Sequence, residues 1–297
     1  MNIIVSPVYD PYLNVAAEKY LFDTCTEDTL YFWVNDPCVV IGKNQNPLLE
    51  CDQAYMRDEG ILLVRRFTGG GAVYQDRGNL NISLISRDTD TGIFAGYMQK
   101  ALQACGIDAE ISGRNDLTVD GRKISGTASM TEDGRYLRHG TLLLGTDTEK
   151  MMKALRPSDL KVHSHGVDSV RSRVMNLQEK YPDITVEKIQ EALRSCFPGY
   201  AEQEYPDSMP EVWDLCRKLQ SEAWLQRETP GYDALLEHRT DHATYRLTVQ
   251  VRQQKITSVS VYSDSLEDED MQGFCRSLQG RIFDPDMILE ELKNNAK

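Results

Sequence analysis

The rhythm of hydrophobic and polar positions changes twice along the chain. Up to about residue 145, short β-rich runs are split by turn signals. Thr29–Val34 and Cys38–Ile41 are two such runs, parted by Asn35-Asp36-Pro37. Strands are predicted at 61–66, 72–75 and 81–86, with Asp76-Arg77-Gly78 turning between the last two. Residues 94–105 read as a helix, because Phe94, Met98, Ala101, Leu102 and Cys105 share one face. Strand patterns return at 117–119, 123–129 and 137–144. Asp120-Gly121 and Asp133-Gly134 predict the tight hairpin turns between them. From about residue 147 the pattern becomes helical. Val186, Ile189, Leu193, Cys196 and Phe197 form an amphipathic stripe, and 211–219 is helical again after a polar, proline-containing stretch at 198–210.

The tail resets. Tyr245, Leu247, Val249 and Val251 alternate with polar residues, as on a half-buried strand. Gln253-Gln254 is expected to turn into a second strand at 255–262, and a helix is expected over 267–278. Asp284-Pro285 then suits an N-cap followed by proline at the first helical position, with Ile288, Leu289 and Leu292 behind it. This ββαα pattern predicts a small second unit. The expected division is 1–239 and 240–297, with the boundary inside 231–242.

The 297 residues, 40% of them hydrophobic, can bury a sizeable core. A formal net charge of −13 changes what such a core can serve. Nucleic acid and anionic membranes are poor partners for a net anion, so neither is expected. An anionic ligand would need a local basic pocket set against the overall field. The seven cysteines are odd in number and form no C-x-x-C pair, which argues against a zinc site and a disulfide framework. The N-terminal stretch lacks a basic, apolar leader pattern, and no apolar run approaches the ~20 residues that span a bilayer. The expectation is a cytoplasmic, reducing compartment.

Three features carry candidate chemistry. The first is Arg65-Arg66-Phe67-Thr68-Gly69-Gly70-Gly71-Ala72-Val73-Tyr74-Gln75-Asp76. Consecutive glycines between strands let a backbone approach a ligand closely and can present an anion-binding nest of N–H groups. Strand alternation sends the two arginines to opposite faces. The run is neither a Walker nor a Rossmann loop. The second feature is Gly113-Arg114-Asn115-Asp116-Leu117 followed by Gly121-Arg122-Lys123-Ile124-Ser125-Gly126. Asn115 and Asp116 offer oxygen atoms of the kind Mg²⁺ accepts beside a phosphate. Lys123 sits between glycines, where an ammonium can track charge on an α-phosphate. The third is His139-Gly140-Thr141-Leu142-Leu143, whose early residues suit a pocket wall, with the basic run Ser169-Val170-Arg171-Ser172-Arg173-Val174 at a distance. Read singly, the glycine run suits a mobile hairpin loop equally well, and the other two features fit a turn with a surface lysine and an ordinary strand and basic loop better than a site.

Together, in this order, they resemble the lipoate–protein ligase family. Asn14-Val15-Ala16-Ala17-Glu18, Gly78-Asn79-Leu80-Asn81, Thr229-Pro230, Tyr262-Ser263-Asp264-Ser265-Leu266 and Leu278-Gln279-Gly280 match as well, so the resemblance spans nearly the whole chain. It implies an α+β (α/β) fold: a large catalytic domain with a mixed, mostly antiparallel sheet like that of biotin and lipoate ligases, and a small C-terminal accessory domain. It implies ATP and Mg²⁺ as cofactors and lipoate as substrate. The acceptors implied are an E2 lipoyl domain or the glycine-cleavage H protein. Lys123 takes the place of the lysine that contacts both the acyl carboxylate and the α-phosphate. Arg66, Gly69, Gly70, Gly71, Ala72, Val73, Tyr74, Gln75, Asn115, Asp116 and Thr141 fall in the substrate- and nucleotide-binding segments, with Asp116 toward the metal. Residues 169–176 are expected as a loop that shields the activated acid.

The chain also departs from the family. Gln75 stands where relatives usually carry histidine, and a glutamine cannot take up a proton near neutral pH. Phe67 replaces a basic residue. Two rival readings follow: an ATP-independent octanoyl- or lipoyltransferase of the same fold that uses a cysteine thioester, and a catalytically altered paralogue that only binds.

Overall fold

The computed structural model describes residues 1–87, 92–112, 116–156, 174–226, 234–252, 255–265 and 271–295. Its centre is a mixed six-stranded sheet in the order Ser125–Glu132, Arg135–Leu143, Asn79–Ser86, Thr29–Val34, Asn2–Val5, Ala201–Glu202. Asn2–Val5 runs parallel to both its neighbours, and the remaining pairs are antiparallel. The predicted hairpin turns are present: Asp120-Gly121 and Asp133-Gly134 all adopt positive φ, as a two-residue turn between twisted strands requires.

Period-two alternation sorts the sheet into two faces. Phe32, Leu80, Ile82 and Leu84 pack against the Gly92–Ala104 and Val186–Ser195 helices. Tyr31, Trp33, Ile85 and Leu137 face Val15, Ala16 and Phe22 of the Pro11–Thr24 helix, with Val212 and Leu219 of Pro210–Gln220 behind. Asn79–Ser86 is buried along its whole length, as befits a strand covered on both sides. A smaller sheet, Leu62–Arg65, Cys38–Ile41 and Val73–Gln75, stands over the second face. Its far side holds a separate core with the Gln53–Asp58 and Thr148–Ala154 helices.

The Pro11–Thr24 helix is a correction to the reading of the N-terminal region as strands alone. It buries Asn14 and Glu18 beside its apolar residues, so its hydrophobic stripe is interrupted. Its start was nonetheless marked: Asp10 accepts the N–H groups of Tyr12 and Leu13, and Pro11 follows at the first helical position. The same signal at Asp284-Pro285 does open the Pro285–Asn295 helix.

The C-terminal sheet has three strands rather than two. Ala234–Arg239 pairs antiparallel with Thr244–Arg252, which pairs with Lys255–Ser263. Ala234–Arg239, which precedes residue 240, is thus a strand of this sheet. Gln272–Leu278 and Pro285–Asn295 cover one side of this sheet around Leu247, Phe274 and Leu292. The expected turn at Gln253-Gln254 and the start of the helix expected at 267 lie outside the described residues. Among those described, no helix is long and apolar enough to cross a membrane.

The two units meet at a buried ion pair. Arg246 of the C-terminal sheet bonds Glu50 of the first unit and Glu237 of its own sheet, and all three side chains are at most 15% exposed. Replacing Arg246 by methionine leaves two carboxylates buried without their cation. Removing one partner of a buried pair costs about 3–5 kcal/mol. Arg246→Met is therefore expected to lower the first calorimetric unfolding transition by several degrees, and a transition unchanged from wild type would show that the pair does not hold the units together.

Candidate active site

Two adjacent arginines divide the work around the glycines. Arg65 points away from the cavity, where its guanidinium donates to the carbonyls of Trp224, Leu225, Gly42, Lys43 and Gln45. Arg66 points the other way, into the molecule, as alternation predicts. Its Nε donates to Thr68 Oγ1 at 2.9 Å, its Nη1 to the Val40 carbonyl at 3.1 Å, and its Nη2 to the Gly69 and Gly71 carbonyls. The glycine loop is thus wrapped around a buried guanidinium. Burial pulls Arg66 down to about 10, with Glu18 pushing back, so it remains charged at neutral pH.

A run of polar contacts leads outward from Arg66. Thr68 Oγ1 accepts from Arg66 and lies 3.0 Å from His139 Nε2. On the other side of the ring, His139 Nδ1 lies 2.7 Å from Glu18 Oε1, a pairing in which the nitrogen donates to the carboxylate. Ser83 also donates to Glu18, and Trp33 Nε1 donates to Ser83. One polar chain therefore joins the helix at residue 18, the sheet at 83 and 139, and the glycine loop.

These elements enclose a cavity of about 390 Å³. Its floor is a register row across four strands: Trp33 beside Asn81, Asn81 beside Thr141, Thr141 beside Gly126. Lys123 reaches over the end of that row. Its Cε and Nζ lie 3.7 Å from where a Cβ on Gly126 would stand, an ordinary van der Waals distance, so the ammonium rests directly over that glycine. Lys123 Nζ pairs with Asp116 Oδ1 at 2.7 Å, both half-exposed at the cavity mouth. Thr141 Oγ1 accepts the Gly126 N–H. One helix-to-sheet step inward, Val15, Trp33, Val40 and Val73 make the wall apolar.

Of the residues singled out from sequence, Arg66, Gly70, Gly71, Ala72, Val73, Gln75, Asp116, Lys123 and Thr141 all line this one cavity. Two do not. Tyr74 alternates away from Val73 and Gln75 and is buried in the small core with Val39, Ile41 and Met56. Gly69 lies behind the wall, its carbonyl taken by Arg66. Asn115 and residues 169–173 of the expected loop lie outside the described residues. Phe67, noted as a departure, packs with Trp224, under the Lys218 ammonium, and is not part of the cavity.

Sequence reading passed over Glu18, Trp33 and Asn81 as site residues, and placed His139 only on a strand that could line a pocket. The C-terminal unit was not expected here at all. Residues 239–244 and Asp264 complete the cavity. The Ser265 carbonyl accepts the Gly70 N–H at 2.8 Å, so the tail closes directly on the glycine loop. A neighbouring cavity of about 210 Å³ shares Gly71, Ala72, Thr244 and Asp264, and is bounded by Met151, Leu155 and Tyr262.

Comparison with known proteins agrees with this architecture. The family described as lipoyl protein ligase A/B catalytic domain matches residues 10–198, and that described as bacterial lipoate protein ligase C-terminus matches 229–297. The structure of Plasmodium falciparum LipL1 in complex with lipoate has the same fold over 98% of this chain and 94% of its own, at a TM-score of 0.79 and 24% identity. A bipartite lipoate protein ligase of Thermoplasma acidophilum, studied with its E2 lipoyl domain, matches at 0.67 and 26% identity over 78% of this chain and 98% of its own. A lipoate-protein ligase A bound with ATP matches at 0.62 and 26%, covering 76% of this chain and 99% of its own.

The Arg66 fork makes a clear prediction. A lysine ammonium cannot reach the Val40, Gly69 and Gly71 carbonyls and Thr68 together, and each buried acceptor left unpaired costs about 1–3 kcal/mol. Arg66→Lys should lose at least ~2 kcal/mol, read as a melting temperature lower by about 2–4 °C per kcal/mol. Melting coincident with wild type would mean that the loop does not depend on the planar fork.

Proposed function

The chain belongs to the lipoyl protein ligase A/B catalytic-domain family, and from that membership we propose that it is an ATP-dependent lipoate–protein ligase. Lipoate is activated to lipoyl-AMP, and the lipoyl group is then transferred to a lysine of an E2 lipoyl domain or a glycine-cleavage H-type protein. The observation that carries this reading is the Lys123 ammonium held over Gly126 at the polar end of a cavity whose other end is apolar.

Activation brings two anions together. The carboxylate oxygen of lipoate bonds to the α-phosphorus of ATP, the bond from that phosphorus to its bridging oxygen breaks, and pyrophosphate leaves. Lys123 stands where the two negative groups meet and offsets their repulsion. The buried charge of Arg66 adds a second positive centre within the same walls. The hydrocarbon of lipoate lies along Val15, Trp33, Val40 and Val73, which keeps water from the activated carbonyl. The neighbouring apolar cavity beside Gly71 and Ala72 is of a character that suits a purine ring. Asp116 at the mouth would hold a Mg²⁺ ion, which would supply positive charge beside the phosphates.

The Gly70 N–H donates to the Ser265 carbonyl, so the tail closes on the glycine loop. In the second step, the acceptor amine attacks the acyl carbon, the bond to AMP breaks, and the nitrogen loses its proton to solvent. This route needs no enzyme nucleophile. Among the described residues no cysteine lines the cavity. Burial pushes the thiols of Cys25, Cys38, Cys51, Cys105 and Cys216 up, away from the thiolate that a thioester transferase requires.

Incubating the protein with ATP, Mg²⁺, lipoate and a candidate acceptor domain should add one lipoyl group to the acceptor by intact mass. Lys123→Ala should cut lipoate-dependent pyrophosphate release by at least ~100-fold, with unchanged melting because the side chain is half-exposed. Wild-type release from that variant removes Lys123 from the role. Acyl transfer without ATP, through a hydroxylamine-labile acyl-enzyme, would favour the transferase.

A further inference from the structure

Arg239 lines the main cavity from the C-terminal unit, and among the described residues its guanidinium makes no ion pair or hydrogen bond. That isolation is unusual in this molecule. Acidic residues outnumber basic ones by 46 to 33, and Arg77, Arg122, Arg217, Arg246 and Arg281 each hold a carboxylate. Arg239 is exposed, so water meets its hydrogen bonds and the fold does not depend on it.

The backbone fixes where this cation stands. Arg239 ends the Ala234–Arg239 strand and pairs with Thr244 across a short turn. Within the turn, the Thr240 N–H donates to the Ala243 carbonyl at 2.9 Å, and Thr240 Oγ1 accepts the N–H groups of His242 and Ala243. The Thr244 N–H donates to Asp264 Oδ1, and the adjoining Ser265 carbonyl takes the Gly70 N–H. The hairpin tip is therefore tied, through one neighbouring strand end, to the glycine loop. Thr244 lines both the main cavity and the smaller one beside it, whereas Arg239 lines the main cavity alone. A nucleotide whose base fills the smaller cavity carries its phosphates past Thr244, and Arg239 stands beside Thr244 on the side that also holds Lys123. Asp241 and Asp264 share that rim and repel an anion, so a cation there has charge to offset. A guanidinium pairs with phosphate oxygens through two parallel N–H groups, a geometry that an ammonium lacks.

We propose that Arg239 is a catalytic residue of the activation step, supplied by the C-terminal unit, whose guanidinium pairs with the β- and γ-phosphate oxygens of ATP and with pyrophosphate as it leaves. The inference rests on the ligase reading. As the carboxylate oxygen bonds to the α-phosphorus, the electron pair of the broken bond stays on the bridging oxygen, and the departing pyrophosphate gains that negative charge. Lys123 serves the α-phosphate and Arg239 serves the leaving group. The transfer step involves no pyrophosphate and is independent of Arg239.

The test uses the full chain. Arg239→Ala should slow lipoate-dependent ATP–pyrophosphate exchange by at least ~100-fold, the scale on which a preorganised charge acts on a developing anion. Arg239→Lys should recover about tenfold of that loss, because the charge returns without the planar fork. Transfer from supplied lipoyl-AMP to an acceptor domain, and lipoate binding, should both stay within about twofold of wild type, which a displaced C-terminal unit would not allow. Calorimetric titration with inorganic tripolyphosphate should show at least ~fivefold weaker binding to Arg239→Ala, with adenosine binding unchanged. Exchange in Arg239→Ala close to the wild-type rate, or an equal loss of transfer from lipoyl-AMP, overturns the proposal. The ligase reading fails separately: a wild-type chain without lipoate-dependent exchange, whose Arg239→Ala variant still loses tripolyphosphate affinity, keeps the phosphate contact and removes the ligase.

Discussion

A guanidinium cannot be taken out of water without replacing the hydrogen bonds that water made. Arg66 is buried, and much of the site follows from meeting that demand. The carbonyls of Val40, Gly69 and Gly71 turn inward to receive it, which sets the path of the glycine loop. Gly42 must lack a side chain for that path to exist, because a Cβ there would stand 2.1 Å from the Gly70 oxygen. Thr68 passes the constraint on to His139, and His139 to Glu18, so a helix, two sheets and a loop are held in one arrangement by a chain of directional bonds. A charge held this way is also preorganised, since it cannot reorient without breaking those bonds.

The cavity beneath is graded. Its mouth carries Lys123, Asp116 and backbone of the glycine loop, and its inner wall sets Val15, Trp33, Val40 and Val73 beside Arg66, Gln75, Asn81 and the Glu18–His139 pair. That gradient is what an amphiphilic acid requires, with its charged end near the cation and its hydrocarbon out of water. The C-terminal unit completes the enclosure through residues 239–244 and Asp264, and it docks by the Gly70–Ser265 bond and the Arg246–Glu50 pair. The lining sets Arg66, Lys123 and Arg239 against Glu18, Asp116, Asp241 and Asp264 in a molecule of net charge −13, so its cations act through near contacts rather than through a long-range basic field.

Much of this was legible in the chain itself. Alternation places Arg65 and Arg66 on opposite faces, Asp-Gly pairs mark the two hairpins, and the triglycine run and the glycines around Lys123 mark a site. These are local rules: side-chain direction, positive φ and turn chemistry depend on neighbours within a few residues. Other parts were hidden for equally physical reasons. The Pro11–Thr24 helix buries polar Asn14 and Glu18 among apolar residues, so its periodicity is blurred although its Asp-Pro start is plain. Tyr74 belongs to the run that lines the pocket, yet the same alternation turns it into another core.

What the sequence determined by itself was most of the central strands, the two Asp-Gly turns and the family resemblance, while the Pro11–Thr24 helix and the Ala234–Arg239 strand escaped it. What only the tertiary structure decided was which distant polar groups meet. Glu18 and His139 are 121 positions apart, Asn35 and Gln75 are 40, and Gly70 and Ser265 come from separate units. No local pattern encodes such partners. They are selected because a buried donor or acceptor must find its complement wherever the packed chain brings one within reach.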